Sequence, residues 1–282
     1  MEAGNRADWI VVAILHSPFP IPGSNMKRSQ FIRFLTLGGA GLVLAPLLRA
    51  QSALPNPQSR LSTAERLVIP NPGSTNPGPW DFWFTRLMYE SGDWDVDQRM
   101  PSNLIDALIQ YTTLRVDPDE HVLSLADPRI LEAPFCYLAG HKLVEFSPDE
   151  RRNFEKYVRN GGFVFVDDCN HDIDGLFARS FEGEMAKIFG SDALGKLNKS
   201  HPLYSSFFNF DGPPATGFEL NGWGDDLVHD YLKGIEIDGR LGVLYSNKDY
   251  GCEWDYDWRN KRFLAEDNTK FAVNVVVYAM TN

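Results

Sequence analysis

The chemically richest stretch of the chain is Asp167-Asp168-Cys169-Asn170-His171-Asp172-Ile173-Asp174. Carboxylates and an imidazole this close together are the donor types that zinc, manganese or iron take, and calcium when backbone carbonyls join. Asp167, Asp168, His171 and Asp172 are therefore the candidate metal ligands, and a divalent metal is the cofactor these residues suggest. The competing use of the same acids is loop capping, with Asp side chains accepting from backbone N–H groups and from the next helix N-terminus. Cys169 is a candidate catalytic nucleophile. Its thiol would need lowering by a helix N-terminus or an imidazolium before it could attack at neutral pH. His171 is its neighbour in sequence, and His141 or His229 could approach in space. The acids flanking Cys169 work against a thiolate. The chain contains neither an HExxH pattern nor a CxxC pair.

His141 follows Gly140 at the end of the apolar run Pro134–Ala139, where a general base or a further ligand would sit; a histidine bonded to backbone is the plainer alternative. Gly222-Trp223-Gly224-Asp225-Asp226 and Trp254-Asp255-Tyr256-Asp257-Trp258 alternate aromatics with acids. Rings can stack on sugars while carboxylates bond hydroxyls, and paired carboxylates can do glycosidic acid–base work. Trp223 and Asp225, with Asp249 and Glu253, are the candidate ligand-binding residues for a small molecule or glycan; ordered surface loops are the alternative. Cys252 either pairs with Cys169 in an oxidising compartment or remains a separate thiol. Cys136, between Phe135 and Tyr137, reads as core.

The elements that must position these residues are well marked. Ser147 can cap a helix, Pro148 suits its first position, and Glu150 completes a capping box. Phe154, Tyr157 and Val158 give that helix one apolar face, and Asn160-Gly161-Gly162 supplies a left-handed stop. Phe163-Val164-Phe165-Val166 lacks polar alternation, so both faces of this strand should be buried, as in a central parallel strand. Ligands collect beyond the carboxyl ends of such strands, where residues 167–175 would lie. Asp81–Leu87, Leu114–Val116 and His121–Leu125 are further strand candidates. A helix begins at Ser102 or Asn103, and Phe177, Phe181, Met185 and Ile188 mark another. Asp238-Gly239, between two β-rich runs, predicts a tight hairpin turn. Asn268–Thr281 has helical spacing, although its valine run leaves a strand open. Strands interleaved with helices predict one α/β domain over residues 80–282, with a mostly parallel sheet plus a C-terminal β-hairpin.

Upstream of residue 80 the composition changes twice. Lys27, Arg28 and Arg33 precede a short apolar run over Phe34–Leu48, followed by Ala50 and Ser52, the layout of a secretory signal over residues 26–52. Arg28-Ser29-Gln30-Phe31-Ile32-Arg33 resembles a twin-arginine motif with serine in the second arginine position. A signal belongs at a chain's start, so residues 1–25 read as an upstream extension before a true start at Met26, and residues 53–79 as a Pro/Asn/Ser-rich linker. The expected location is periplasmic or extracellular, with membrane contact only through the signal segment. An uncleaved anchor is the alternative, disfavoured because the apolar run is shorter than the ~20 residues of a span. The net charge of −11 and pI near 5.0 disfavour nucleic acid as a partner. Three cysteines are too few for a disulfide framework.

Six segments then stand in a recognisable order: FTRLMYESGDWD (Phe84–Asp95), NLIDAL (Asn103–Leu108), APFCYLAGH (Ala133–His141), SPDERRNFEKYVRNGGFVFVDD (Ser147–Asp168), SHPLYSSFF (Ser200–Phe208) and YSNKDYGCEW (Tyr245–Trp254). Together they resemble the bacterial domain-of-unknown-function family numbered 4159, over roughly residues 80–282. The resemblance implies a class I glutamine amidotransferase-like fold, a flavodoxin-like three-layer sandwich, and carries no activity with it. Amidotransferases of that group hold their cysteine at a glycine-flanked turn with a distant His-Glu pair. Here Cys169 has no flanking glycines, and His201 precedes Pro202 with no His-x-Glu. The expectation is an exported α/β domain binding a small ligand or a divalent metal at loop 167–175. The alternative is a metal- or cysteine-dependent hydrolase acting on a small molecule or glycan. Sequence leaves open whether the chain is an enzyme at all.

Overall fold

The computed structural model describes residues 79–222, 225, 227–255 and 266–282. The expected upstream extension, signal and linker, as far as residue 78, lie outside the described residues.

A seven-stranded sheet runs in the order β2-β1-β3-β4-β7-β6-β5. Its strands are β1 (Thr85–Met88), β2 (His121–Ser124), β3 (Cys136–Gly140), β4 (Val164–Asp168), β5 (Gly195–Lys196), β6 (Lys233–Ile237) and β7 (Arg240–Ser246). β2, β1, β3, β4 and β7 are mutually parallel. β6 is antiparallel to β7, and β5 to β6. β6 passes into β7 through Asp238 and Gly239, whose φ values of 53° and 78° are what a two-residue turn matched to strand twist requires. The helices are α1 (Met100–Tyr111), α2 (Pro148–Arg159), α3 (Leu176–Phe189), α4 (Gly217–Leu220), α5 (Tyr250–Trp254) and α6 (Glu266–Thr281). No helix among the described residues is long and apolar enough to cross a membrane.

Alternation along the strands builds two cores. Phe84, Tyr137, Phe163, Phe165 and Leu244 face one way and pack with Leu104 and Leu108 of α1 and Phe271 and Val275 of α6. Leu87, Leu138, Val164, Val166 and Val243 face the other way and pack with Phe154 of α2 and Phe181 and Met185 of α3. β4 is buried on both sides because both sides carry apolar residues.

The capping box of α2 forms in both directions: Glu150 N–H donates to Ser147 Oγ at 3.4 Å, and Ser147 N–H to Glu150 Oε2 at 2.7 Å. Glu150 does a second job, since its Oε1 accepts from Glu90 N–H at 2.9 Å and ties the loop after β1 to α2. Gly161, at φ 97°, closes the helix.

Some strand expectations shift. The first strand starts at Thr85, not Asp81, because Arg115 takes the Asp81 carboxylate and only Phe82 bridges to Val116. Leu114–Val116 accordingly supplies that single bridge and no strand. β4 extends to Asp168, since Asp167 and Asp168 stay in register with Ala139 and Gly140 of β3. The valine-rich tail is the helix its spacing predicts and not the alternative strand, because packing of Phe271, Val273, Val275, Val276 and Val277 outweighs the strand preference of β-branched residues.

Candidate functional site

Parallel register brings four loop starts to one edge of the sheet. Gly140 lies opposite Asp168, and Asp167 opposite Ser246, so the loops after β3, β4 and β7 leave at the same level. The loop after β1 joins them through Arg86. This buried guanidinium donates to the carbonyls of Trp94, Val96 and Asp97 and to the Glu120 carboxylate. Arg86 thereby shapes residues 93–97, which carry two acids into the site. Of the four described non-glycine residues at positive φ, three lie here: Asp97, His171 and Asp249. Unfavourable backbone conformations concentrate where surrounding contacts over-determine them.

The converging side chains form two separate nests. The first contains His171, Asp225 and His229, whose ligand-capable atoms lie within 4.8 Å of one another. His229 Nε2 is 2.8 Å from Asp225 Oδ2, and the two imidazole centroids are 5.2 Å apart. His171 Nε2 lies 3.3 Å from Glu219 Oε1 and its Nδ1 3.5 Å from Asp225 Oδ1. Neither contact has hydrogen-bond geometry, so both ring nitrogens of a residue 2% exposed are left without a hydrogen bond. Behind the histidines sits a fully buried ion pair, Lys248 with Glu219. It grips both peptide groups of His229: Glu219 Oε1 accepts from His229 N–H at 2.8 Å, and Lys248 Nζ donates to His229 carbonyl oxygen. Burial pushes the Glu219 carboxyl up, but His171 and Lys248 outweigh it and hold it below its ordinary value. Burial lowers Lys248 against the pull of Glu219.

The second nest centres on Asp97. Its Oδ2 accepts from Tyr137 OH at 2.9 Å and from Cys169 Sγ at 3.4 Å, and its Oδ1 from Cys252 Sγ at 3.2 Å. Gly251 permits this approach: a Cβ there would stand 2.2 Å from Asp97 Oδ2 and 2.2 Å from Tyr137 OH. Asp249 is 2% exposed, and its Oδ1 has no hydrogen-bond partner. Burial, with Asp167 and Asp97 nearby, pushes the Asp249 carboxyl well up. The thiols are also raised. The Cys252 hydrogen bond, burial and the acids Asp97, Asp249 and Asp167 all push Cys169 upward. For Cys252 the contact with Cys169 pulls down, but burial with Asp249 and Asp97 wins and carries it to about 12. Both cysteines are free thiols, as is Cys136 in the core.

The remaining sequence-predicted residues fall around these nests. Asp167 Oδ2 accepts from Gly251 N–H at 2.5 Å. Asp168 Oδ1 accepts from Asn170 N–H and Nδ2, and its Oδ2 from Asn247 Nδ2 at 3.3 Å. Burial carries the Asp168 carboxyl up to about 6 against these bonds. Asp172 Oδ1 caps the N–H of Asp174 at 2.9 Å. Of the four candidate metal ligands, His171 alone enters the first nest, where it meets Asp225, one of the ligand-binding candidates. Glu253 ties helices together, accepting from Gly217 N–H and Asn268 Nδ2. His141 is exposed, with Nδ1 3.0 Å from Asp93 Oδ2 and its N–H donating to Asp93 Oδ1. Trp223 lies outside the described residues.

Sequence reasoning missed Asp97, Glu219 and Lys248 and named His229 only in passing. Gly92-Asp93-Trp94-Asp95-Val96-Asp97, an acid-rich loop directly after an edge-directed strand, was the available signal for Asp97. Lys248 stands among the polar residues Ser246, Asn247 and Asp249, so no local pattern marked it.

A mostly parallel α/β sheet with polar nests beyond its strand ends defines the class of protein. The chain belongs to the family described as Domain of unknown function (DUF4159), whose family model matches residues 83–280. No curated protein matches the chain at a significant level.

Proposed function

We propose that this chain is an exported, flavodoxin-like α/β domain that binds a divalent metal through His171, Asp225 and His229. The unbonded ring nitrogens of buried His171 carry the reading. An imidazole removed from water with neither nitrogen hydrogen-bonded is costly, and a cation among these donors would relieve that cost. Two histidines and one carboxylate are a donor set suited to zinc or iron(II), with coordination positions left for water or a substrate oxygen. The buried Lys248–Glu219 pair supplies the outer support that such sites need, because it fixes the His229 backbone on both sides.

The flavodoxin-like, class I glutamine amidotransferase-like assignment is supported by the order of the parallel strands, β2-β1-β3-β4-β7, and by helices packed on both faces. Export is supported by the basic and apolar pattern of residues 26–52. The hydrolase alternative takes its metal-dependent form here, since a bound metal with open positions can activate water against a small molecule or glycan. Raised thiols give the cysteine-dependent form less support.

Elemental analysis of the full chain, purified without a histidine tag, tests the reading. The content of first-row divalent metal should fall by one equivalent in His171→Ala and in His229→Ala. Equal metal content in the wild type and both folded variants would overturn it.

A further inference from the structure

The Asp97 nest is independent of the histidines and has donors of a different character. Its sulfurs stand 3.4 Å and 3.2 Å from the two oxygens of one carboxylate, and one donor atom from each of Asp97, Cys169 and Cys252 fits within 4.8 Å. Around a tetrahedral zinc, oxygen at ~2.0 Å and sulfur at ~2.3 Å are separated by about 3.5 Å. The nest thus holds its donors at nearly the spacing of a coordination shell. Asp249 adds the second observation: a carboxylate 2% exposed, beside Cys252, with Oδ1 bonded to nothing. Tyr137 and Gly251 close the nest, one by donating to Asp97 and the other by making room for it. Arg86, in the same loop system, spends its donors on the Trp94, Val96 and Asp97 carbonyls and on Glu120.

We propose that Asp97, Cys169 and Cys252, with the buried carboxylate of Asp249 beside them, form a second cation site that takes a thiophilic divalent metal of the zinc class. Two thiolates make it softer than the histidine site, so the two sites select differently for metals. Binding forms two metal–sulfur bonds and releases the two thiol protons to solvent, with no change in oxidation state. The site would lock the loops after β1, β4 and β7 together at one point, because each contributes a donor.

Cobalt(II) distinguishes this site from the first, since only thiolate ligands give an intense near-ultraviolet charge-transfer band. The full chain, stripped by chelator and kept reduced with a phosphine, is titrated with cobalt(II) and then with zinc. The band should rise to saturation and vanish as zinc displaces cobalt. It should persist in His229→Ala and be lost in Cys252→Ser. If Cys252→Ser fails to fold, zinc protection of the wild-type thiols reads the same site. One equivalent of zinc should slow alkylation of Cys252 at least tenfold. A folded, reduced wild type with no thiolate band and no zinc protection overturns the proposal. So does a native chain whose mass is two hydrogens short, with Cys169 joined to Cys252 by a disulfide that resists reduction. Either failure leaves the His171–Asp225–His229 reading standing, because that reading is scored on the histidine variants.

Discussion

Cys169 and His171 are two residues apart, yet they enter nests that treat charge in opposite ways. In the His171 nest the buried acid Glu219 has a buried cation, Lys248, and backbone donors from Thr216 and His229. In the Asp97 nest three acids and two thiols share burial, and among the described residues their partners are hydroxyl, thiol and backbone groups. A buried charge is tolerated only when something opposes it. The first nest is therefore complete in its supporting ion pair and incomplete only at the imidazole of His171. The second is incomplete at its centre. If both bind metals, the first is largely pre-formed by protein contacts, while the second depends on the metal for its own charge balance and should be the more sensitive to chelation.

The largest effect that would break this contrast comes from Lys248→Met. It leaves Glu219 buried without its cation and should cost about 3–5 kcal/mol in urea unfolding. Adding Glu219→Gln removes the stranded charge and should recover part of the loss, because the one Gln oxygen can accept from only one of the Thr216 and His229 backbone N–H groups, which now use different carboxylate oxygens. A single variant that unfolds like the wild type would mean the pair is not buried in solution, and the two nests would no longer differ as described.

The same pair shows where sequence stops informing. The α2 capping box and the glycine stop were legible because all their partners lie within a few residues. The two-sided burial of β4 was legible because it is written in four consecutive apolar residues. The site was only partly so. Sequence proximity was the guide to grouping Asp167, Asp168, His171 and Asp172. Adjacent residues on a strand point to opposite faces, and the structure bonds Asp167 to Gly251 but Asp168 to Asn170 and Asn247. The partners that matter arrive from far along the chain: Asp97 reaches Cys169 across 72 residues, and Lys248 reaches Glu219 across 29. No local pattern encodes those meetings; parallel register does, by bringing four loops to one edge.

A smaller effect separates the nests from the other side. In Gly251→Ala the new Cβ must displace both Asp97 and Tyr137. The strain should cost about 1–3 kcal/mol. It should also abolish the cobalt–thiolate band while leaving the histidine-dependent metal in place. Loss of both metals together would show that the nests act as one unit, and the division drawn between them would have to be abandoned.

The smallest expected effect comes from an acid outside both nests. Glu184 is itself buried, but its partners are at the surface: Arg151 Nε at 2.6 Å and Lys187 Nζ at 2.7 Å, with Arg151 one-third and Lys187 more than half exposed. Burial is the largest influence on the Glu184 carboxyl and pushes it up, but the bonds from Arg151 and Lys187 together prevail and hold it below its ordinary value. A carboxyl lowered on folding contributes stability above its unfolded pKa, and that contribution fades as pH falls through the folded value. Glu184→Gln should therefore destabilise the protein by roughly 0.5–1 kcal/mol at neutral pH, since water already screens the cations. The difference from wild type should close as the pH is lowered below ~4. Chemical denaturation at a series of pH values reads both. A penalty as large as that of Lys248→Met would show that burying the acid alone sets the cost, and that the exposure of its cation, the feature on which the comparison of the nests turns, does not matter.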